Sequence, residues 1–160
     1  MLFTGKHPFT IDAKHRLAIP AKIRAMLDPH RVGTAFYITL GVNNALWLWP
    51  PRTFERMAGH IEATLAPAPA LMDFDEITFP EAERLELDAA GRIRVPEEML
   101  AAAGLGTRVV VIGMRNHLEI WDPDRWQKYV EKKTAMRAEI AQRARPLLGR
   151  YTPPPGEPDG

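Results

Sequence analysis

The chain reads as an α+β protein made of two tandem units, each a β-hairpin followed by helical and strand segments. Three observations predict this. Ile11-Asp12-Ala13-Lys14-His15-Arg16-Leu17-Ala18-Ile19-Pro20 returns 76 residues later as Leu87-Asp88-Ala89-Ala90-Gly91-Arg92-Ile93-Arg94-Val95-Pro96, with Asp, Ala, Arg and Pro coinciding. Apolar residues alternate with period two on both sides of each Asp-to-Arg segment. Proline and glycine then mark where strand gives way to helix, at Pro20, Pro96 and Gly104.

Taken in order, Phe9-Thr10-Ile11 and Leu17-Ala18-Ile19 form the arms of the first hairpin, and Leu85-Glu86-Leu87 and Ile93-Arg94-Val95 those of the second. Asp88-Ala89-Ala90-Gly91 suits a type I turn closed by a left-handed glycine, with the Asp side chain bonding turn amides. His15 holds the glycine position in the first copy, at a cost of about 1 kcal/mol for a non-glycine residue at positive φ. Short helices are expected over Ala21–Leu27 and Glu97–Ala103, the latter stopped by Gly104. Thr34–Leu40 with Ala45–Trp49, and Arg108–Gly113 with Leu118–Trp121, give a second strand pair in each unit. The repeat continues here at an offset of 72, the difference falling in a longer connection around Asp28-Pro29-His30-Arg31. Helices follow from Pro51 to about Leu65 and from Pro123 to about Ala144.

The expected organisation is a first half over residues 1–65, a linker and acidic segment over 66–83, a second half over 84–145 and a disordered Pro-rich tail over 146–160. The stretch Asp73–Glu83 fits either a loop or a short helix. Halves of this size bury little core alone, so they should fold onto each other. Trp47, Trp49, Trp121 and Trp126 could stack on bases, but alternation and helix spacing assign most of them to the core.

Composition narrows function. Lys and Arg number 21 against 20 Asp and Glu, with no cysteine, which excludes thiolate metal sites, a Cys nucleophile and disulfides. The N-terminal stretch lacks a signal-peptide core and no segment is apolar enough to span a bilayer, so a cytoplasmic protein is expected. The near-neutral total hides opposed segments: residues 1–32 carry +4, 73–100 carry −6 and 125–150 carry +6. Such asymmetry favours a polyanion or self-association over a neutral small-molecule substrate. Arg125, Lys128, Lys132, Lys133 and Arg137 form the solvated face of a helix whose partial apolar side is Trp126, Tyr129, Val130 and Ile140, and the acidic Asp73–Glu83 is a surface such a face could meet. The five histidines show no zinc-helix spacing, and no phosphate-cradling loop or nucleophile elbow is present, so neither metal, cofactor nor enzyme activity is expected.

The candidate site is the doubled Asp-x-x-x-Arg turn. An Arg just past a tight turn presents a planar fork suited to phosphate or to guanine O6 and N7. The Asp fixes turn amides or orients that guanidinium; if exposed, the ion pair itself is worth only about 0–1 kcal/mol. Arg16, Arg92, Lys14, Lys22 and His15 are the candidate residues for contacting such a polyanion, with Asp12, Asp88 and Gly91 shaping the turns. Lys14, Lys22 and Arg24 make the first half the better electrostatic candidate, since Glu86, Glu97 and Glu98 surround Arg92 and Arg94.

Phe3-Thr4-Gly5, Asp12-Ala13-Lys14-His15-Arg16 with Pro20, and Asp88-Ala89-Ala90-Gly91-Arg92 with Pro96 resemble the MraZ family of the AbrB/SpoVT-like swapped-hairpin superfamily. Trp49-Pro50 and Leu118-Glu119-Ile120-Trp121-Asp122 extend the resemblance to about residues 2–135. It implies two tandem AbrB-like units whose hairpins interleave into a pseudo-twofold β-barrel, and a homo-oligomeric ring. It further implies transcriptional regulation at direct repeats upstream of the bacterial division and cell-wall gene cluster, in the nucleoid, with Asp12–Arg16 and Asp88–Arg92 facing DNA. Two features depart from the family pattern: His15 at the turn glycine, and the acidic Asp73–Glu83 where a basic, aromatic helix is usual. The His15 replacement and the −6 segment over residues 73–100 motivate a competing class, a protein-interaction module on this scaffold without DNA binding.

Overall fold

A computed structural model describes residues 1–27, 34–62 and 68–148. The first compact unit, Met1–Pro123, contains β1 (Lys6–Thr10), β2 (Arg16–Ala18), α1 (Ala21–Arg24), β3 (Ala35–Leu40), β4 (Leu46–Trp49), α2 (Pro51–Glu62), α3 (Pro69–Thr78), β5 (Glu83–Glu86), β6 (Arg92–Arg94), α4 (Glu97–Ala102), β7 (Arg108–Gly113) and β8 (Leu118–Trp121). The second unit, from Asp124, is helical: α5 (Pro123–Ala135) and α6 (Arg137–Leu148).

All strand pairs are antiparallel. Six strands form one sheet in the order β1-β7-β8-β4-β3-β5, and β2 pairs with β6 in a separate ribbon. Replacing each strand of the first half by its repeat partner in the second turns this order into itself, so the sequence repeat is also a pseudo-twofold of the fold. Both Asp-to-Arg turns form, yet the arms flanking them do not pair with each other as the local reading of two hairpins expects. β1 runs along β7, β5 along β3, and β2 along β6. A three-residue strand with one core residue, Leu17 or Ile93, holds too little apolar surface to sustain a hairpin alone, and each half completes the other. The sheet ends at β1 and β5, and the expected closed barrel is not found among the described residues.

Leu17, Ile19, Ile23, Ile93, Val109, Val111, Leu118 and Ile120, drawn from both halves, lie in one apolar core. Prolines 20 and 96 precede α1 and α4 as extended capping residues, and Gly104 at φ 61 ends the turn after α4. The undecided acidic stretch begins as helix: α3 starts at Pro69, whose missing N–H costs nothing in a first turn. The helix expected from Pro123 is interrupted at Met136, and α6 passes Pro146 to reach Leu148, so the first three residues of the expected tail are helical. The connection Asp28-Pro29-His30-Arg31, Ala66 and Pro67 of the linker, the end of the helix expected to reach Leu65, and tail residues 149–160 lie outside the described residues.

The face of the sheet remote from the ribbon carries a polar network. Buried Glu119, 2% exposed, accepts Trp121 Nε1–H at 2.6 Å and Asn43 Nδ2–H at 3.2 Å, and its other oxygen lies 3.2 Å from His117 Nε2. The His117 ring stacks on Trp49 at 4.4 Å between centroids. Trp49 and Trp121 are thus core residues as expected, whereas Trp47 is half-buried and bonded to Asn43, and Trp126, on α5, is partly exposed. Among the described residues no helix is long and apolar enough to cross a membrane.

Candidate nucleic-acid interface

The two Asp-to-Arg turns are built alike. In the first, Asp12 Oδ1 accepts the amides of Lys14 and Arg16, both at 2.9 Å, and Oδ2 accepts Arg16 Nε–H at 2.7 Å. In the second, Asp88 Oδ1 accepts the amides of Ala90 and Arg92 at 2.9 Å, and Oδ2 accepts Arg92 Nε–H at 2.9 Å. Backbone bonds close both turns, from Asp12 to Arg16 and from Asp88 to Arg92. His15 and Gly91 take φ 59 and 74, so the histidine adopts the left-handed conformation expected of the glycine it replaces. The Arg16 and Arg92 amides hold their aspartates below the ordinary carboxylate value; desolvation opposes this next, and the guanidinium bonds and the Lys14 and Ala90 amides then add to the lowering. Each carboxylate engages only Nε, which leaves the four N–H donors of the two Nη groups outside the bond.

The ribbon sets where these side chains go. In β2–β6 Arg16 faces Arg94, Leu17 faces Ile93, and Ala18 faces Arg92. Leu17 and Ile93 are fully buried. Because successive strand residues alternate faces and directly opposed residues share one, Arg16, Ala18, Arg92 and Arg94 all lie on the face turned away from the core. Arg16 and Arg92 are similarly exposed there, 32% and 33% of the side chain. The sequence reasoning missed Arg94 as a site residue, although the alternation Arg92-Ile93-Arg94 assigns it to the outward face.

Lys14 is exposed in the first turn and Lys22 on α1, while His15 is half-buried. His15 lines a shallow groove with Glu97, Leu100 and Ala101 of the other half. The pseudo-equivalent groove at the second turn contains Gly91 and Arg24. Arg24 donates Nε–H to the Ile19 carbonyl at 3.1 Å and lies across Gly91. The first half therefore does not concentrate the positive charge by itself: its Arg24 sits at the second turn, and Arg94 of the second half sits at the first. Glu86, expected to crowd Arg92 and Arg94, is ion-paired to Arg84 instead.

Comparison with known proteins follows the same duplication. A family model described as "MraZ protein, putative antitoxin-like" matches residues 2–73 and 78–146. The chain is 33% identical over 147 residues to the transcriptional regulator MraZ of Thermomicrobium roseum, covering 92% of this chain and all of that one. It is 34% identical to the protein of the same name from Tropheryma whipplei, over 92% of this chain and 99% of that one. The Thermobifida fusca regulator MraZ is also 34% identical, over 91% and 98% respectively.

Proposed function

This chain belongs to the MraZ family, and from that premise we propose that it is a sequence-specific DNA-binding transcriptional regulator acting as a homo-oligomeric ring on promoter direct repeats. The observation that carries the reading is the shared outward face of Arg16 and Arg92 on the two-stranded ribbon. B-form DNA accepts such a ribbon in its major groove, where a guanidinium can bond guanine O6 and N7. Asp12 and Asp88 anchor each Arg through Nε, so less side-chain freedom is lost when the Nη groups meet a base or phosphate. Lys14 and Lys22 add phosphate contacts, and the two Asp residues shape the turns without touching the anionic DNA.

One ribbon offers few cations, so useful affinity requires several subunits on successive repeats. Charge supports self-association. Exposed Asp73 and Glu76 on α3 lie among the apolar Met72 and Ile77, and exposed Lys128, Lys132 and Lys133 on α5 offer a second copy the opposite sign.

The test is a footprint of the purified protein on the DNA ahead of its own gene, followed by titration against salt. Protection of short direct repeats, with affinity falling as salt rises, supports the reading. No footprint, with a discrete protein co-purifying, supports the interaction-module class. A clean monomer by size exclusion with light scattering overturns the ring.

A further inference from the structure

The pseudo-twofold relates the two ends of the ribbon, but their chemistry differs. Arg16 faces Arg94, whereas its repeat partner Arg92 faces Ala18. Directly opposed like charges destabilise an antiparallel pair, and among the described residues Arg94 has no ion pair to offset this. Arg16 is only partly compensated, through the Asp12 bond to Nε. The first-turn end is thus a double guanidinium with one partial counter-charge on an outward face.

We propose that Arg94 is a specificity-determining residue that gives the ribbon a fixed direction on DNA. The inference rests on the DNA-binding reading above. A head with two equal ends would read a site as well reversed as forward. With Arg16 and Arg94 clustered at one end and Arg92 beside Ala18 at the other, one side of the site meets two forks and the other meets one. Subunits related by rotation around a ring present their heads in the same sense, so a directional head suits direct repeats better than palindromes.

The experiment uses the full-length protein and a labelled duplex carrying one footprinted repeat, with each base pair substituted in turn. The wild type is expected to show base sensitivity concentrated on one side of the site's centre. Arg94→Ala should lower affinity about ten-fold and flatten that side, the size of one good bidentate contact. Ala18→Arg should add sensitivity on the other side, and the exchange Ala18→Arg with Arg94→Ala should move the sensitive side across the centre. Both positions are outside the core, and circular dichroism checks that each variant is folded. If the wild type binds the repeat and these variants leave the sensitivity profile unchanged, the role of Arg94 is refuted while the DNA reading stands. If the wild type shows no sequence-dependent binding, both fall.

Discussion

Arg24 of the first half lies so close over Gly91 of the second that a Cβ built on the glycine would come within 2.3 Å of Arg24 Nη1. Gly91 is also at φ 74, where a side chain is strained whatever the space. The repeat shows how the other end avoids both problems: His15 replaces the glycine, and Leu100 replaces the arginine on the opposing helix. Gly91→Ala is expected to destabilise by about 1–3 kcal/mol in urea unfolding. Gly91→His combined with Arg24→Leu, which copies the other end, should cost less than the separate effects added together, with a coupling of about 0.5–3 kcal/mol. Strict additivity would mean that the two residues do not constrain each other.

Acid stability is expected to depend on the two turn aspartates. Their folded values lie below the ordinary 3.8, so the unfolded chain takes up these protons first as pH falls. The stabilisation is present in full well above that value and is lost as pH falls through it toward the lower folded value. The Asp12→Asn, Asp88→Asn double variant should therefore show a shallower decline of Tm below about pH 4 than the wild type. An identical decline would show that the amide and guanidinium bonds do not favour the charged form.

Removing a prong tests the interface. Arg16→Ala is expected to weaken operator binding by about 1–3 kcal/mol if the residue is bidentate to a base. If instead it meets a phosphate, the slope of log affinity against log salt should fall by about one, with all sequences weakened alike. Arg92→Ala should behave similarly. Unchanged affinity and slope in fluorescence anisotropy would remove Arg16 from the interface.

Glu119 gives a prediction about the scaffold alone. It accepts bonds from Trp121 and Asn43 while 2% exposed. Glu119→Leu would take the acceptor from the buried Trp121 Nε1–H, at about 1–3 kcal/mol for an unsatisfied buried group, and a bond from the half-buried Asn43 with it. Glu119→Gln keeps one acceptor oxygen and should cost less. Equal losses for the two substitutions in urea unfolding would show that packing, not bonding, governs the site.

Much of this was legible in the residues. The repeat located both turns, the turn chemistry anticipated positive φ at His15 and Gly91, and alternation marked Leu17-Ala18-Ile19 and Ile93-Arg94-Val95 as strands. Strand partners were not legible locally, because period-two alternation fixes which face is buried but not which strand lies alongside. For the same reason a charge count by sequence segment misplaced Arg24 and Arg94, whose neighbours come from the opposite half. The Glu119 network was only half legible: His117 and Trp121 lie two residues to either side of Glu119, but Asn43 reaches it only once β4 and β8 are adjacent.

The ribbon has one more implication. The His15 carbonyl accepts the Val95 amide and the Gly91 carbonyl accepts the Ile19 amide, so each turn, besides its own closing bonds, is braced by the other half. A gene fragment encoding one half alone could rebuild the pair only by associating with a duplicate of itself. That homodimer would regain the brace but present two identical ends, erasing the handed difference that fusion into a single polypeptide allows the two copies to evolve.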